Sequence, residues 1–401
     1  MRLDSSRRLL QGLVLLAVSS LGCTQPAAQV AKAAELNKLS AEELAGGWIL
    51  LFDGESLYGW EPGSQADWQV ADGVIKVSQG EPGLLCTTCD WADYEFRCDF
   101  RAPATTNSGI FLRTPVKPTD PAKDCYELNI AAPEVSPFSN GGFVKRQKAT
   151  EYVPATEWRT YEVSAVGGHF IVKIDGKQVL DYTDPAPVGR GRIGLQLNSG
   201  PAEFRNIKLK PVALASLFNG KDLTGWKNHP ESKSTYTVTP AGEINVRNGR
   251  GLLESEAQFG DFVLQAEVFS NGKHLNSGIF FRSIPGEFTN GYEFQIHNGY
   301  KDDDRTKPLD FGTGGFYRRQ PARKVVSDDF QWTYLTLNAQ GPHFATWVNG
   351  VQVNDWTDTR EPNDNPRNGL RTAAGTLSLQ GHDPTTDLSF RNLRAGEMKP
   401  R

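Results

Sequence analysis

The sequence is an internal duplication, and that limits the possible architectures more than any other feature. Leu51-Phe52-Asp53-Gly54-Glu55-Ser56-Leu57-Tyr58-Gly59-Trp60 returns 166 residues later as Leu217-Phe218-Asn219-Gly220-Lys221-Asp222-Leu223-Thr224-Gly225-Trp226. Asn107-Ser108-Gly109-Ile110-Phe111-Leu112-Arg113 returns as Asn276-Ser277-Gly278-Ile279-Phe280-Phe281-Arg282, Tyr126-Glu127 as Tyr292-Glu293, and Gly141-Gly142-Phe143 as Gly314-Gly315-Phe316. Trp158 matches Trp332, Leu195-Gln196 matches Leu379-Gln380, and Phe204-Arg205-Asn206-Ile207 matches Phe390-Arg391-Asn392-Leu393. The order is kept throughout, which excludes coincidence. A period this long is far beyond that of a solenoid repeat, so each copy is a domain, about 46–211 and 214–396. A chain of 401 residues is long enough for both.

Each copy reads as strands. Tyr94, Phe96, Cys98 and Phe100 alternate with Glu95, Arg97 and Asp99, and Phe262, Leu264, Ala266 and Val268 repeat the pattern. Asp175-Gly176 and Asn349-Gly350 sit between strand-like runs, where such pairs suit a type I′ hairpin turn. Gly 40 and Pro 24, with no convincing long amphipathic helix, complete an all-β reading: two tandem sandwiches or jelly rolls. The shared Trp60/Trp226 and Trp158/Trp332 are expected in the cores. The net charge is −4, from 43 Lys and Arg against 47 Asp and Glu, without a basic run, which argues against a nucleic-acid partner.

The first 23 residues read as a bacterial export signal. Arg2, Arg7 and Arg8 precede an apolar stretch, Leu9 to Leu21, that is too short to span a bilayer. Leu21-Gly22-Cys23 resembles a lipoprotein cleavage site, so Cys23 is the expected lipid-bearing residue and the anchor its only membrane contact; cleavage near Ala27 to Ala34 is the alternative. Residues 24–45 would be an Ala-rich, polar tether or a short helix. The product would be lipid-anchored at the envelope or periplasmic. Export permits disulfides among Cys86, Cys89, Cys98 and Cys125, and both a local disulfide and free thiols fit the spacing.

In a strand over 291–297, Tyr292, Phe294 and Ile296 face the core while Glu293, Gln295 and His297 share the other face. Gly278, Phe280 and Arg282 share one face of their strand, as do Gln380 and His382 of theirs. The first copy offers Arg113, Glu127, Asn129 and Gln196 but neither histidine. A recurring Arg, Glu and Gln on one sheet suit a sugar site; a solvated outer face explains any one of them singly.

Together these motifs resemble the 3-keto-disaccharide hydrolase family, across both copies and with the better match in the second. The resemblance implies a concanavalin A-like jelly roll and exported carbohydrate breakdown. Amides stand where a two-carboxylate glycosidase would carry acids. A 3-keto sugar needs no such pair, because its ketone acidifies the C2 proton and permits elimination at C1 followed by hydration. Such chemistry requires a base, a donor for the enolate oxygen and an acid for the leaving oxygen. The resemblance therefore casts Glu293 as base, Arg282 as oxyanion partner, and His297 or His382 as acid. Tyr292, Gln295, Gln380, Glu127, Arg113 and Gln196 become the sugar contacts. No cofactor is expected; a Ca²⁺ at Lys301-Asp302-Asp303-Asp304 is weighed against a plain solvated loop. A non-catalytic glycan-binding lipoprotein is the alternative, since fold alone does not decide.

Overall fold

The computed structural model describes residues 36–398, so the export signal, Cys23 and residues 24–35 of the expected tether lie outside the described residues. Strand alternation and tight turns generate two antiparallel jelly-roll sandwiches, as expected. In the first, the larger sheet runs Lys177–Thr183, His169–Ile174, Arg159–Val166, Tyr94–Arg101, Ala202–Pro211, Val74–Val77, Gln69–Ala71. The smaller runs Trp60–Pro62, Gly83–Thr87, Arg192–Leu197, Asn107–Thr114, Tyr126–Ala131. The second repeats this order. Its smaller sheet is Trp226–Asn228, Gly251–Phe259, Gly375–Gly381, Ser277–Ser283, Tyr292–Ile296, which leaves the strand bearing Glu293 at an edge.

Local sequence accounts for these elements. Asp175 and Gly176 have φ of 50° and 81°, and Asn349 and Gly350 48° and 76°, the left-handed pair that a two-residue hairpin demands. Tyr94–Arg101 alternates buried and half-exposed along its whole length. Its second-copy counterpart Phe262–Ser270 is buried almost throughout, because the outer face of that sheet is covered by the first sandwich. Val263, Ala345 and Trp347 of the second copy join the first copy's core. Trp347 meets Trp91 edge-on at 5.5 Å, and its Nε1 donates to the Leu50 carbonyl at 2.9 Å. Arg323 pairs with Asp53 at 2.7 Å and Arg190 with Asp261 at 2.9 Å across the same seam.

Some expectations need correcting. Trp60 and Trp226 are buried, but Trp158 and Trp332 lie half-buried on outer faces beneath Arg205 and Arg391, at 3.9 and 3.7 Å. All four cysteines of the first copy are buried free thiols, one of the two arrangements expected from their spacing. Residues 36–45, expected as tether, pack on the first sandwich. Asn37 exchanges hydrogen bonds with Asn206, and Ser40 with Glu43 caps a short helix, Ala41–Ala45. The acidic loop is the turn of a hairpin, Tyr300–Lys301 with Asp304–Pro308, where Lys307 reaches Asp302 at 3.3 Å and Asp304 at 3.5 Å.

Candidate active site

The edge strand Tyr292–Ile296 is held on both sides by motif residues. Ser277 donates its hydroxyl to the Gln380 carbonyl at 2.7 Å, locking the Asn-Ser-Gly strand to the Leu-Gln strand. Gly314-Gly315-Phe316 caps the exposed edge: Gln295 N–H donates to the Gly315 carbonyl at 2.8 Å and Gly314 N–H to the Gln295 carbonyl at 3.0 Å. Gly278 is needed for space, since a Cβ there would stand 3.0 Å from Glu293 Cγ and 3.2 Å from its Oε1. The result is a cavity of about 590 Å³ whose floor carries Glu293, Gln295 and Gln380, with His382 at one side.

Glu293 is 5% exposed, and Arg367 Nη2 donates to its Oε2 at 2.9 Å. Burial pushes its carboxyl above the ordinary range, against the opposing pull of Arg367, Gln380 and His382. A buried acid with a raised pKa is suited to accept a proton near neutral pH. Gln295 Nε2 donates to Asp310 Oδ2 at 2.8 Å, and Asn276 Nδ2 donates to the same oxygen. The Oε1 atoms of Gln295 and Gln380 are buried without a partner, which leaves two acceptors for sugar hydroxyls at the floor. His382 Nδ1 lies 2.9 Å from Asp383 Oδ2, a contact that orients the half-exposed ring.

Four expected site residues, Arg282, Arg113, Tyr292 and His297, lie elsewhere. Arg282 was expected to share the face of Gly278 and Phe280, but it takes φ +47° and forms a bulge where the pairing to Gly375–Gly381 slips. The bulge turns the side chain back between the sheets, over the Phe344 ring at 5.1 Å. There the fully buried guanidinium donates to the carbonyls of Gly260, Gly341 and Arg371 and to Asp261. Gly375 faces the bulge, and a Cβ would come within 2.3 Å of the Ser283 carbonyl oxygen. Arg113 repeats all of this, with φ +51°, donating to the Gly167 and Val188 carbonyls and Asp93, and with Gly191 opposite. Both arginines are struts and neither reaches a groove.

Tyr292 also faces inward. Its hydroxyl donates to Asp358 at 2.7 Å and accepts from Arg371 N–H at 2.9 Å, which anchors the loop 358–374. Tyr126 makes the same two bonds, to Asp184 at 2.8 Å and from Val188 N–H at 3.1 Å. His297 sits past the groove, near His274 at 6.2 Å, and is absent from the cavity wall. Burial lowers its pKa, with Asp310 pulling the other way.

Glu127 and Gln196 lie in the equivalent groove of the first copy, about 530 Å³. Burial raises the Glu127 carboxyl too, opposed by Gln196 and Lys145. Asn129 stands at the place of Gln295, and no arginine lines this groove.

The sequence reading missed Arg367 and, with it, Arg250, Arg318, Arg319 and Asp310 of the cavity wall. One signal was available: between matched strands the second copy spends residues 358–374 where the first spends 184–191, and the longer loop holds Arg360, Arg367 and Arg371.

Fold and groove together define a tandem β-sandwich protein with a polar groove on the smaller sheet of each domain. The chain belongs to the family of 3-keto-alpha-glucoside-1,2-lyase-like domains, whose model matches twice, over residues 47–210 and 214–395. It is similar to a 3-keto-disaccharide hydrolase of Bacteroides thetaiotaomicron, 27% identical over 241 residues that cover 45% of this chain and 83% of the relative. Among solved structures it is similar to a glycosyl hydrolase of Parabacteroides distasonis at 20% identity, covering 44% of this chain and all of that one, with TM-score 0.39. A carbohydrate-binding module of Bacillus subtilis shows 16% identity, 38% and 95% coverage, and TM-score 0.30.

Proposed function

We propose that the second domain cleaves the glycosidic bond of a 3-keto-glycoside by elimination followed by hydration. The observation that carries this reading is Glu293, the one buried carboxylate of the cavity lining, with its proton affinity raised and the amides of Gln295 and Gln380 beside it; the other acid, Asp310, is exposed and taken up by Gln295 and Asn276. Glu293 removes the proton at C2. The C2–H electron pair passes into the C2–C3 bond to give an enolate with its charge on the C3 oxygen. Collapse of the enolate restores the ketone, forms the C1–C2 double bond and breaks the C1–O bond, whose electron pair leaves with the aglycone oxygen as that oxygen takes up a proton. Water then adds across the double bond, so the net change is hydrolysis. The role first given to Arg282 passes to Arg367 and Arg319, whose guanidinium groups line the cavity and suit the charge that develops on the C3 oxygen. His382 lines the same cavity, which supports it over His297 as the acid for the leaving oxygen. Gln295 and Gln380 orient hydroxyls through their unpartnered oxygens.

The first domain, with its acid and amides but no cation of this kind, serves in this reading as a binding and bracing domain. The N-terminal 23 residues support export, with Cys23 as lipid carrier; incorporation of labelled palmitate that is lost in Cys23→Ser tests that part. The chemistry is tested with the full chain and 3-keto-trehalose. Glu293→Gln should lower turnover by about 10²–10⁴-fold, the usual share of a general base. Near-normal turnover removes the assignment.

A further inference from the structure

The cavity of the second domain holds more positive charge than the proposed elimination uses. Four guanidinium groups line it, from Arg250, Arg318, Arg319 and Arg367, against two carboxylates, Glu293 and Asp310. Both carboxylates are occupied, Glu293 by Arg367 and Asp310 by the amides of Gln295 and Asn276. Arg319, which the elimination also uses, donates to the carbonyl oxygens of Arg318 and Arg367. Arg250 and Arg318 differ from these. Each is exposed and lies over an aromatic ring of the same cavity, Arg250 over Phe288 at 4.8 Å and Arg318 over Tyr317 at 5.2 Å. Neither has a carboxylate partner among the described residues. A guanidinium over an aromatic ring with no carboxylate partner retains N–H donors for an oxyanion.

The first domain makes the surplus conspicuous. Lys145, at the place of Arg318, lies 4.0 Å from Asp120, and Arg146, at the place of Arg319, is bound to Asp184 at 2.6 Å. Pro82 stands where the second copy has Arg250. The cationic rim therefore arose in one groove of a chain whose net charge is −4. Burial, with the nearby guanidinium groups of Arg360 and Arg367 and against the pull of Asp358, lowers the proton affinity of Arg319.

We infer that the second-domain groove is built for a 3-keto-glycoside bearing an oxyanion such as a carboxylate, and that Arg250 and Arg318 at the rim recognise that group. This rests on the proposed function for the nature of the sugar, while the charge recognition can be measured apart from it. Three 3-keto substrates serve: the phenyl glucoside, the 4-carboxyphenyl glucoside and the phenyl glucuronide. The wild-type full chain should favour a charged substrate over the neutral one in kcat/KM by about tenfold or more, the scale of hydrogen bonds to a charged group. In the Arg250→Gln/Arg318→Gln double variant that ratio should fall toward one. Preference within the carboxyphenyl arm puts the anion on the leaving group, and preference within the glucuronide arm puts it on the ring. Calorimetric titration of the same glycosides in their unoxidised, unreactive form gives the ratio of affinities without turnover, so an inactive chain still answers the question. A wild-type ratio near one in every arm, or a double variant that keeps the wild-type ratio, overturns the inference.

Discussion

The two grooves share a floor and differ at the rim. Each has a buried glutamate on an edge strand, a glutamine from the next strand but one, a glycine on the strand between them that makes room for the acid, and a Gly-Gly-Phe segment along the edge. Only the second adds Arg367, His382 and the arginine-lined wall. The difference teaches that the repeated motifs encode the platform, whereas the charges that would stabilise an enolate come from loops outside them. The same glutamate meets a guanidinium at 2.9 Å in one copy and only the longer-range influence of a lysine in the other.

The sharpest way to break that comparison is to look at what turnover remains in Glu293→Gln. If the first groove contributes no chemistry, the residue should be about 1% or less, in line with loss of a general base. A larger remainder, abolished by adding Glu127→Gln, would make both grooves catalytic.

The next effect concerns the seam. Trp347→Ala should cost about 3–5 kcal/mol, because a buried indole of one domain is removed from the core of the other. Differential scanning calorimetry should then show the single transition lowered or split; an unchanged transition would mean that the sandwiches are energetically separate.

The third test uses pH. Catalysis by Glu293 requires its ionised form, so kcat/KM should rise with pH through a value above the ordinary carboxylate range, since burial raises that carboxyl. Arg367 holds it down, so in Arg367→Gln the acid limb should move to higher pH, as measured by a pH–rate profile. A limb that stays in place would detach Arg367 from the acid.

The smallest effect is steric. Gly278→Ala puts a Cβ 3.0 Å from Glu293 Cγ, whereas Gly109→Ala leaves 3.5 Å to Glu127 Cγ. Turnover should fall by about tenfold in the first variant, through misplacement of the acid, and stay near normal in the second. Equal effects would erase the distinction.

Much of this was legible in the chain. Alternation and the Asp-Gly and Asn-Gly turns gave the sheets, and the duplication gave two sandwiches, because both signals are local or repeated. Glu293, Gln295 and Gln380 could be placed on one floor by strand periodicity alone. Arg282 could not, because a left-handed residue breaks the period of two and nothing in Ile-Phe-Phe-Arg announces it. Its identity with Arg113 marked a shared strut rather than a shared reaction. Arg367 escaped for the opposite reason: it lies in the extra length by which 358–374 exceeds its counterpart 184–191, where no residue of the first copy stands opposite it.

The loop that carries Arg367 begins at Asp358, pinned by the Tyr292 hydroxyl, and ends at Gly375, pinned against the Arg282 bulge. Asp184 and Gly191 are pinned in the same manner by Tyr126 and Arg113. Such paired fixed points act as sockets for an exchangeable cassette: length and charge between them can drift while the barrel-like frame stays untouched. Moving 358–374 into the first sandwich would test whether the groove around Glu127 can take up the chemistry proposed for its partner.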